Sequence, residues 1–190
     1  IGALSMRKLA DALGGKAMSL YNHLANKDAI IDGIVDRVVG EIVVPSLTIA
    51  GDWKAAMLAR GNSAHEVLLR HPWATQAIVA RINLGANMLS YIDATLGCLR
   101  GAGFSIEMSD HVWNALDNHI YGFTLQALNF PIENEAYAET AENYLDLIPV
   151  ETYPHLHELS LQVMSGKYDG QHDFEFGLRL MLERLDVVRQ

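Results

Sequence analysis

Apolar residues recur three and four positions apart along almost the whole chain, and no stretch alternates at period two for long enough to form a strand. The pattern predicts an all-α protein. Gly14-Gly15, Pro45 with Gly51, Pro72, Gly85, Gly101 with Gly103, Pro131, Pro149, Pro154, Gly166 and Gly170 interrupt it and divide it into about nine helices. The first runs from Met6 to Leu13, with Leu9 and Leu13 on one face. From Lys27 to Val44 a double stripe, Ile30, Ile34, Val38, Ile42 beside Ile31, Val35, Val39, Val43, is wide enough to be covered on two sides. Asn26 is placed to cap that helix, and Ser105 to cap a long central one with Glu107 at its positive end. A last helix, His172 to Val188, carries Phe174, Leu178, Met181, Leu185 and Val188 in a heptad-like seam, which suits either the chain's own core or a partner.

Composition narrows the function. The chain has 190 residues, 50% hydrophobic and 19% charged, enough for one or two small domains. Its formal charge of -9 excludes nucleic-acid binding by bulk electrostatics, so any basic surface must be local. The segment Ser5 to Val44 is about neutral, with Arg7, Lys8, Lys16, Lys27 and Arg37 offsetting its acids, and the remainder carries the negative charge. A single cysteine, Cys98, excludes an internal disulfide and a multi-Cys zinc site, and no apolar run reaches membrane-spanning length. A cytoplasmic protein with no membrane partner is expected. His155-Leu156-His157-Glu158 and His65-Glu66 lack the paired spacing of metal-binding bundles, and no phosphate loop, nucleophile elbow or triad is present. We expect no catalysis, no metal and no cofactor.

Ala10, Gly14 and Leu20 have the order of a helix-turn-helix: a small residue where helices cross, a residue tolerant of positive φ, and an aliphatic facing the core. Around them, Leu4-Ser5-Met6-Arg7-Lys8-Leu9-Ala10, Leu13-Gly14 and Ser19-Leu20-Tyr21-Asn22-His23-Leu24-Ala25-Asn26-Lys27-Asp28-Ala29 closely resemble the DNA-binding region of the TetR family of transcriptional regulators. The resemblance implies a helix-turn-helix domain over 1–44, whose first helix precedes Ile1, and a ligand-binding and dimerisation domain over 45–190. A recognition helix from Lys16 to Leu24 would turn Leu20 and Leu24 inward and leave Ala17, Met18, Ser19, Asn22 and His23 on other faces. By that resemblance Tyr21, His23 and Lys27 meet phosphates, and Arg7 meets a phosphate or a guanine. Ser19 and Asn22 would read base edges, with Ala17 and Met18 available to a thymine methyl.

His71-Pro72-Trp73-Ala74, then Leu89, Tyr91, Leu96 and Leu99, Gly101-Ala102-Gly103-Phe104-Ser105, Tyr121-Gly122 and Phe174-Glu175-Phe176-Gly177-Leu178 are similar to the family's C-terminal domain. This implies a homodimer closed by a four-helix bundle, with Val112, Ala115, His119, Gly122, Phe123 and Gln126 facing Phe174, Leu178, Met181 and Leu185. Such a dimer would place two recognition helices about 34 Å apart on a palindromic double-stranded operator. An effector pocket is expected on another face of the central helix, at Trp113, Asn114, Asp117 and Tyr121, completed by Trp53, Met57, His65, Tyr91 and Thr95. Trp53 and Met57 fit a core role equally, and His65 a surface one. The positions matching the metal-binding His and Glu of tetracycline repressors hold Val79 and Gln126, so tetracycline is not the expected effector. The expected function is a ligand-released repressor; the alternative is a helical small-molecule scaffold without DNA activity.

Overall fold

The computed structural model describes residues 5–12, 14, 26–45, 52–131, 136–169 and 173–189. Among them all regular structure is helical: Met6–Ala12 (α1), Lys27–Val39 (α2), Trp53–Arg70 (α3), Pro72–Val79 (α4), Ala86–Gly101 (α5), Ile106–Asn129 (α6), Tyr137–Tyr144 (α7), Pro154–Met164 (α8) and Phe174–Arg184 (α9), with 3-10 turns at Leu145–Leu147 and Leu185–Val188. Two compact units result, Ile1–Leu128 with Phe174–Gln190, and Asn129–Asp173.

Local chemistry sets many of the helix ends. Asn26 Oδ1 accepts from the Ala29 N–H at 2.8 Å, and Ser105 Oγ accepts from Met108 at 3.0 Å, the two caps expected from sequence. Asp52 caps α3 through Lys54 and Ala55, and Pro72 opens α4 at a position where no N–H is needed. Gly14 has φ +67, the left-handed turn that closes α1. The double stripe of α2 was expected to run to Val44, but the helix stops at Gly40, the residue with the weakest helix preference after proline. Ile30, Ile31, Val35, Val38, Val39 and Ile42 are buried, while Ile34 and Val43 are exposed.

The core of the larger unit is a continuous cluster drawn from α2, α3, α5, α6 and α9, with Met57, Leu68, Leu99, Leu116 and Leu178 fully enclosed. Trp53 packs edge-on against Phe104, ring centroids 5.1 Å apart, at the base of α3. Helix α9 lies against α3 where Gly61 faces Leu178: a Cβ at Gly61 would occupy the volume of a Leu178 methyl. Phe174 carries two imidazoles on its ring, His65 at 4.2 Å and His119 at 5.1 Å between centroids. The His119 Nε2–H donates to the Phe174 carbonyl, 3.0 Å. Thr124 commits its hydroxyl proton to the Ile120 carbonyl, so its oxygen accepts from the Nδ1–H of His65 at 2.8 Å. In the smaller unit α7 packs on α8, Phe130 stacks on Tyr137, and the His157 Nδ1–H donates to the Ile148 carbonyl at 2.7 Å.

Two outcomes follow from this packing. Gly61→Val overfills the α3–α9 contact and lowers unfolding free energy by about 2 kcal/mol in urea titration; an unchanged midpoint would refute the close approach. His65 has its pKa lowered, first by burial and then by His119, with Glu66 opposing. The stability contributed by neutral His65 is complete above its ordinary value of 6.5 and drains as pH falls through that value toward the lowered one. The fall in Tm from about pH 7 to pH 5 is therefore shallower in His65→Gln than in the parent chain.

Candidate functional site

Helix α6, 24 residues long, brings Trp113, Asn114, Asp117, Asn118 and Tyr121 to one face by its own periodicity. Opposite them stand the end of α4, the loop 80–85 and the first turns of α5. Between lies a cavity of about 340 Å³, walled by Ile78, Val79, Ile82, Leu84, Met88, Leu89, Ile92 and Trp113, with Arg81, Asn83, Asn114, Asp117, Asn118 and Tyr121 as polar groups. Its lip is apolar and open to solvent: Ile82 is 88% and Leu84 72% exposed.

Behind Asp117 sits a buried charge. Arg60, on α3, has no exposed surface, and its Nη2 pairs with Asp117 Oδ1. Asp117 Oδ2 accepts from Trp113 Nε1 at 2.8 Å. The guanidinium carbon lies 4.7 Å from the centre of the Tyr91 ring, a cation–π contact, so both charges of the pair are answered inside the protein. Burial works against the charge of Arg60, yet the electrostatic influence of Tyr91 and Asp117 and the Asp117 hydrogen bond carry its pKa above the ordinary arginine value. Burial, followed by the Asp117 charge, pushes the Tyr121 phenol well up. Tyr91 is raised by burial with Arg60 pulling the other way. Both phenols remain protonated donors at neutral pH. Among the described residues, Arg60 Nε and Nη1 and the Tyr91 hydroxyl are enclosed without a hydrogen-bond partner.

The cavity's outer wall is tied to α2. Helix α5 has no capping side chain of its own, because its N-cap is Gly85. Asp36 of α2 supplies the cap instead: Oδ1 accepts from Met88 N at 2.9 Å and Oδ2 from Asn87 N at 3.3 Å, a carboxylate at a helix N-terminus. Gly85 is required there, since a Cβ would overlap the Asp36 carboxyl group. Arg81 Nε donates to Asp32 at 2.8 Å and its Nη1 to Asp28 at 3.2 Å. Asn83 donates to the Asp32 carbonyl at 2.8 Å while accepting from Gly85 N. Arg81, Asn83 and Met88 therefore line the cavity and hold α2 at once.

Of the residues expected at a pocket, Trp113, Asn114, Asp117 and Tyr121 meet at the cavity, and Tyr91 lies behind it under Arg60. Trp53, Met57 and Thr95 lie in the core instead, Thr95 donating to the Tyr91 carbonyl at 2.7 Å. His65 is held by Thr124 and Phe174, away from the cavity lining. Arg60 was not expected; its signal was a charge at helical spacing between Met57 and Ala64, inside an apolar stripe. Of the expected dimer residues, Val112, Phe174 and Leu178 are buried in the chain's own core, because the heptad seam of α9 closes onto α3. Ala115, His119, Phe123, Met181 and Leu185 are half-buried, and Gly122 and Gln126 exposed. Arg7 is exposed on α1 and Lys27 opens α2, half-buried. Lys16, Ala17, Met18, Ser19, Tyr21, Asn22 and His23 lie outside the described residues. No group of three or more His, Cys, Asp or Glu able to hold a metal occurs among the described residues, and no helix there is long and apolar enough to cross a membrane.

Comparison with known proteins agrees with this architecture. Residues 45–189 match the family model described as tetracyclin repressor-like, C-terminal domain. An HTH-type transcriptional regulator of Saccharopolyspora erythraea is 35% identical over 119 residues, 63% of this chain, and the match spans half the length of that protein. The HTH-type transcriptional repressor DrrR1 of Streptomyces coeruleorubidus is 28% identical over 97% of this chain and 70% of its own length. Among solved structures, the Streptomyces coelicolor TetR family protein ActR in complex with (S)-DNPA superposes with a TM-score of 0.81 at 26% identity, covering 98% of this chain and 89% of that one. With its C-terminal model matched and its helical order shared, the chain belongs to the tetracyclin repressor-like, or TetR, family of transcriptional regulators.

Proposed function

We propose that this protein is a dimeric, DNA-binding transcriptional repressor released from a palindromic operator by a small hydrophobic effector, acting by binding and not by catalysis. The observation that carries the reading is the shared wall: the residues bordering the cavity are the residues that grip α2. Helix α2 begins at Lys27, directly after the segment that resembles a recognition helix. An effector that displaces loop 80–85 shifts Asp28, Asp32 and Asp36 with it, and α2 tilts. The switching energy is the difference between the effector's affinities for the two positions of that loop.

The relatives support this reading by their names, a repressor in one case and a regulator bound to a small molecule in another. On the DNA side, Tyr21, His23 and Lys27 hold phosphates and Arg7 a phosphate or a guanine, with Lys16 at the start of the recognition helix; Ser19 and Asn22 read bases, helped by Ala17 and Met18. The dimer forms on α6 and α9, through Ala115, His119, Gly122, Phe123 and Gln126 with Met181 and Leu185. Phe176 and Leu180, 67% and 53% exposed on the outer side of α9, extend that apolar face. Among the described residues, the charges at its wall, Arg81 and Asp117, are paired, so the cavity suits a largely apolar molecule.

Selection of duplexes from a random library yields a palindromic consensus; a failure to enrich any duplex would refute the repressor reading. On that duplex, Lys27→Ala weakens binding evenly across sequences and lowers the salt slope by about 1. Asp36→Asn removes the charged cap that joins α2 to α5. A compound that releases the parent protein from the duplex still binds this variant, but releases it at roughly ten-fold higher concentration, about 1.4 kcal/mol of lost coupling. Equal release by parent and variant would show that the signal does not pass through Asp36.

A further inference from the structure

The face of α6 and α9 on which the subunits meet in the reading above carries a titratable cluster. Phe174, the first residue of α9, stacks against two imidazoles, His65 of α3 with an interplanar angle of 11° and His119 of α6 with one of 21°. Phe123 of α6 stands edge-on to His65, 5.6 Å between centroids, and to Phe174 at 5.4 Å. The fit against α9 is close, since a Cβ on Gly177 would fall 2.5 Å from Cε1 of His119. Four rings from three helices thus share one contact, and it fixes the start of α9.

The hydrogen bonds here suit neutral rings. His65 spends its Nδ1–H on Thr124, and His119 spends its Nε2–H on the Phe174 carbonyl. Among the described residues nothing binds His65 Nε2, which solvent still reaches. A second proton on His65 would enter there. It would set a positive charge beside the first turn of α9, the positive end of that helix, with no acceptor in place. Burial is the largest influence on this imidazole and disfavours the charge; exposed Glu66 on α3 favours it, and His119 on α6 opposes it. On α9 the carboxylates are already engaged: Asp173 has a partner, and Glu175 takes Asn62 at 2.7 Å and Arg179.

In the single chain His65, His119 and Phe123 are half-buried. A partner subunit seated on Ala115, His119 and Phe123 would take the remaining water from the cluster. Removing water disfavours a charged imidazole, so proton and partner compete for the same state of the ring. Resting on the dimer reading above, we propose that the subunit contact is itself a proton sensor: the dimer closes on neutral His65, and mild acid separates the subunits with no effector bound. The cluster then gives the protein a second input, independent of the cavity. Separation of the subunits also parts the two recognition helices, so the same proton weakens the hold on a palindromic operator.

Sedimentation equilibrium of the full chain between about pH 7.5 and about pH 5.5, on either side of the ordinary imidazole value, tests this, with far-UV circular dichroism on the same samples. The dimer dissociation constant is expected to rise about ten-fold toward the acid end while helix content stays level. His65→Asn, whose amide N–H takes the place of Nδ1–H toward Thr124 and does not titrate, holds its dissociation constant across the range. Should that variant fail to fold, NMR of the parent chain decides: the His65 ring C–H signal titrates at lower pH in a concentrated, dimeric sample than in a dilute one. Equal midpoints overturn the proposal, as does a dissociation constant indifferent to pH, one that still rises in His65→Asn, or dissociation that occurs only with loss of helix. In each of those cases a dimer at neutral pH shows that the dimer reading survives; a monomer at every pH and concentration overturns both.

Discussion

A full positive charge with no exposed surface, Arg60, sits among the packed helices, and the arrangement of three of them answers it. Its carboxylate comes from α6, its aromatic platform from α5, and its own anchor is α3. Leaving such a charge unpaired would cost several kcal/mol, so the rotation of α6 that points Asp117 at α3 is strongly fixed. That rotation turns Trp113 and Tyr121, one turn to either side, toward the cavity. The cavity-facing surface of the central helix is in this sense a by-product of neutralising one arginine from the helix behind it.

The second organising contact is between helices distant in sequence. An α-helix leaves its first N–H groups unsatisfied, and α5 meets that need with a carboxylate borrowed from α2. The arrangement works only because Gly85 leaves room for it. Since Arg81 and Asn83 hold the same stretch of α2, the strand of loop between α4 and α5 cannot move without α2 feeling it. The neighbouring cavity thus borders the very contacts that fix the helix following the segment that resembles a recognition helix.

Much of this was legible in the residues and some was not. Periodicity showed the helices, and the capping pattern located the starts of α2 and α6 at Asn26 and Ser105, because caps are local chemistry. The face of α6 with Trp113, Asn114, Asp117 and Tyr121 was readable for the same reason: one helix carries all four. What depends on a partner helix was hidden. Nothing near Asp36 in sequence shows that it caps α5, fifty residues on, and a lone arginine in an apolar stripe reads as surface until the facing Asp117 is known. The seam of Phe174 and Leu178 has the spacing of an intersubunit contact, yet the identical spacing serves α9 against Gly61 of its own chain. Heptad pattern specifies that a face is covered, not by whom.

The cavity's residues divide by what they are attached to. Val79, Ile82, Leu84 and Leu89 border it with exposed side chains, whereas Arg81, Asn83 and Met88 are fastened to α2. The loop thus alternates between positions exposed at the rim and positions anchored to α2. Odd-numbered anchors and even-numbered lip residues within 81–84 can be changed independently, so under the proposed function the loop is a natural place to retrain the protein as a biosensor: new recognition would be written into the rim while the ties to α2 stay as built.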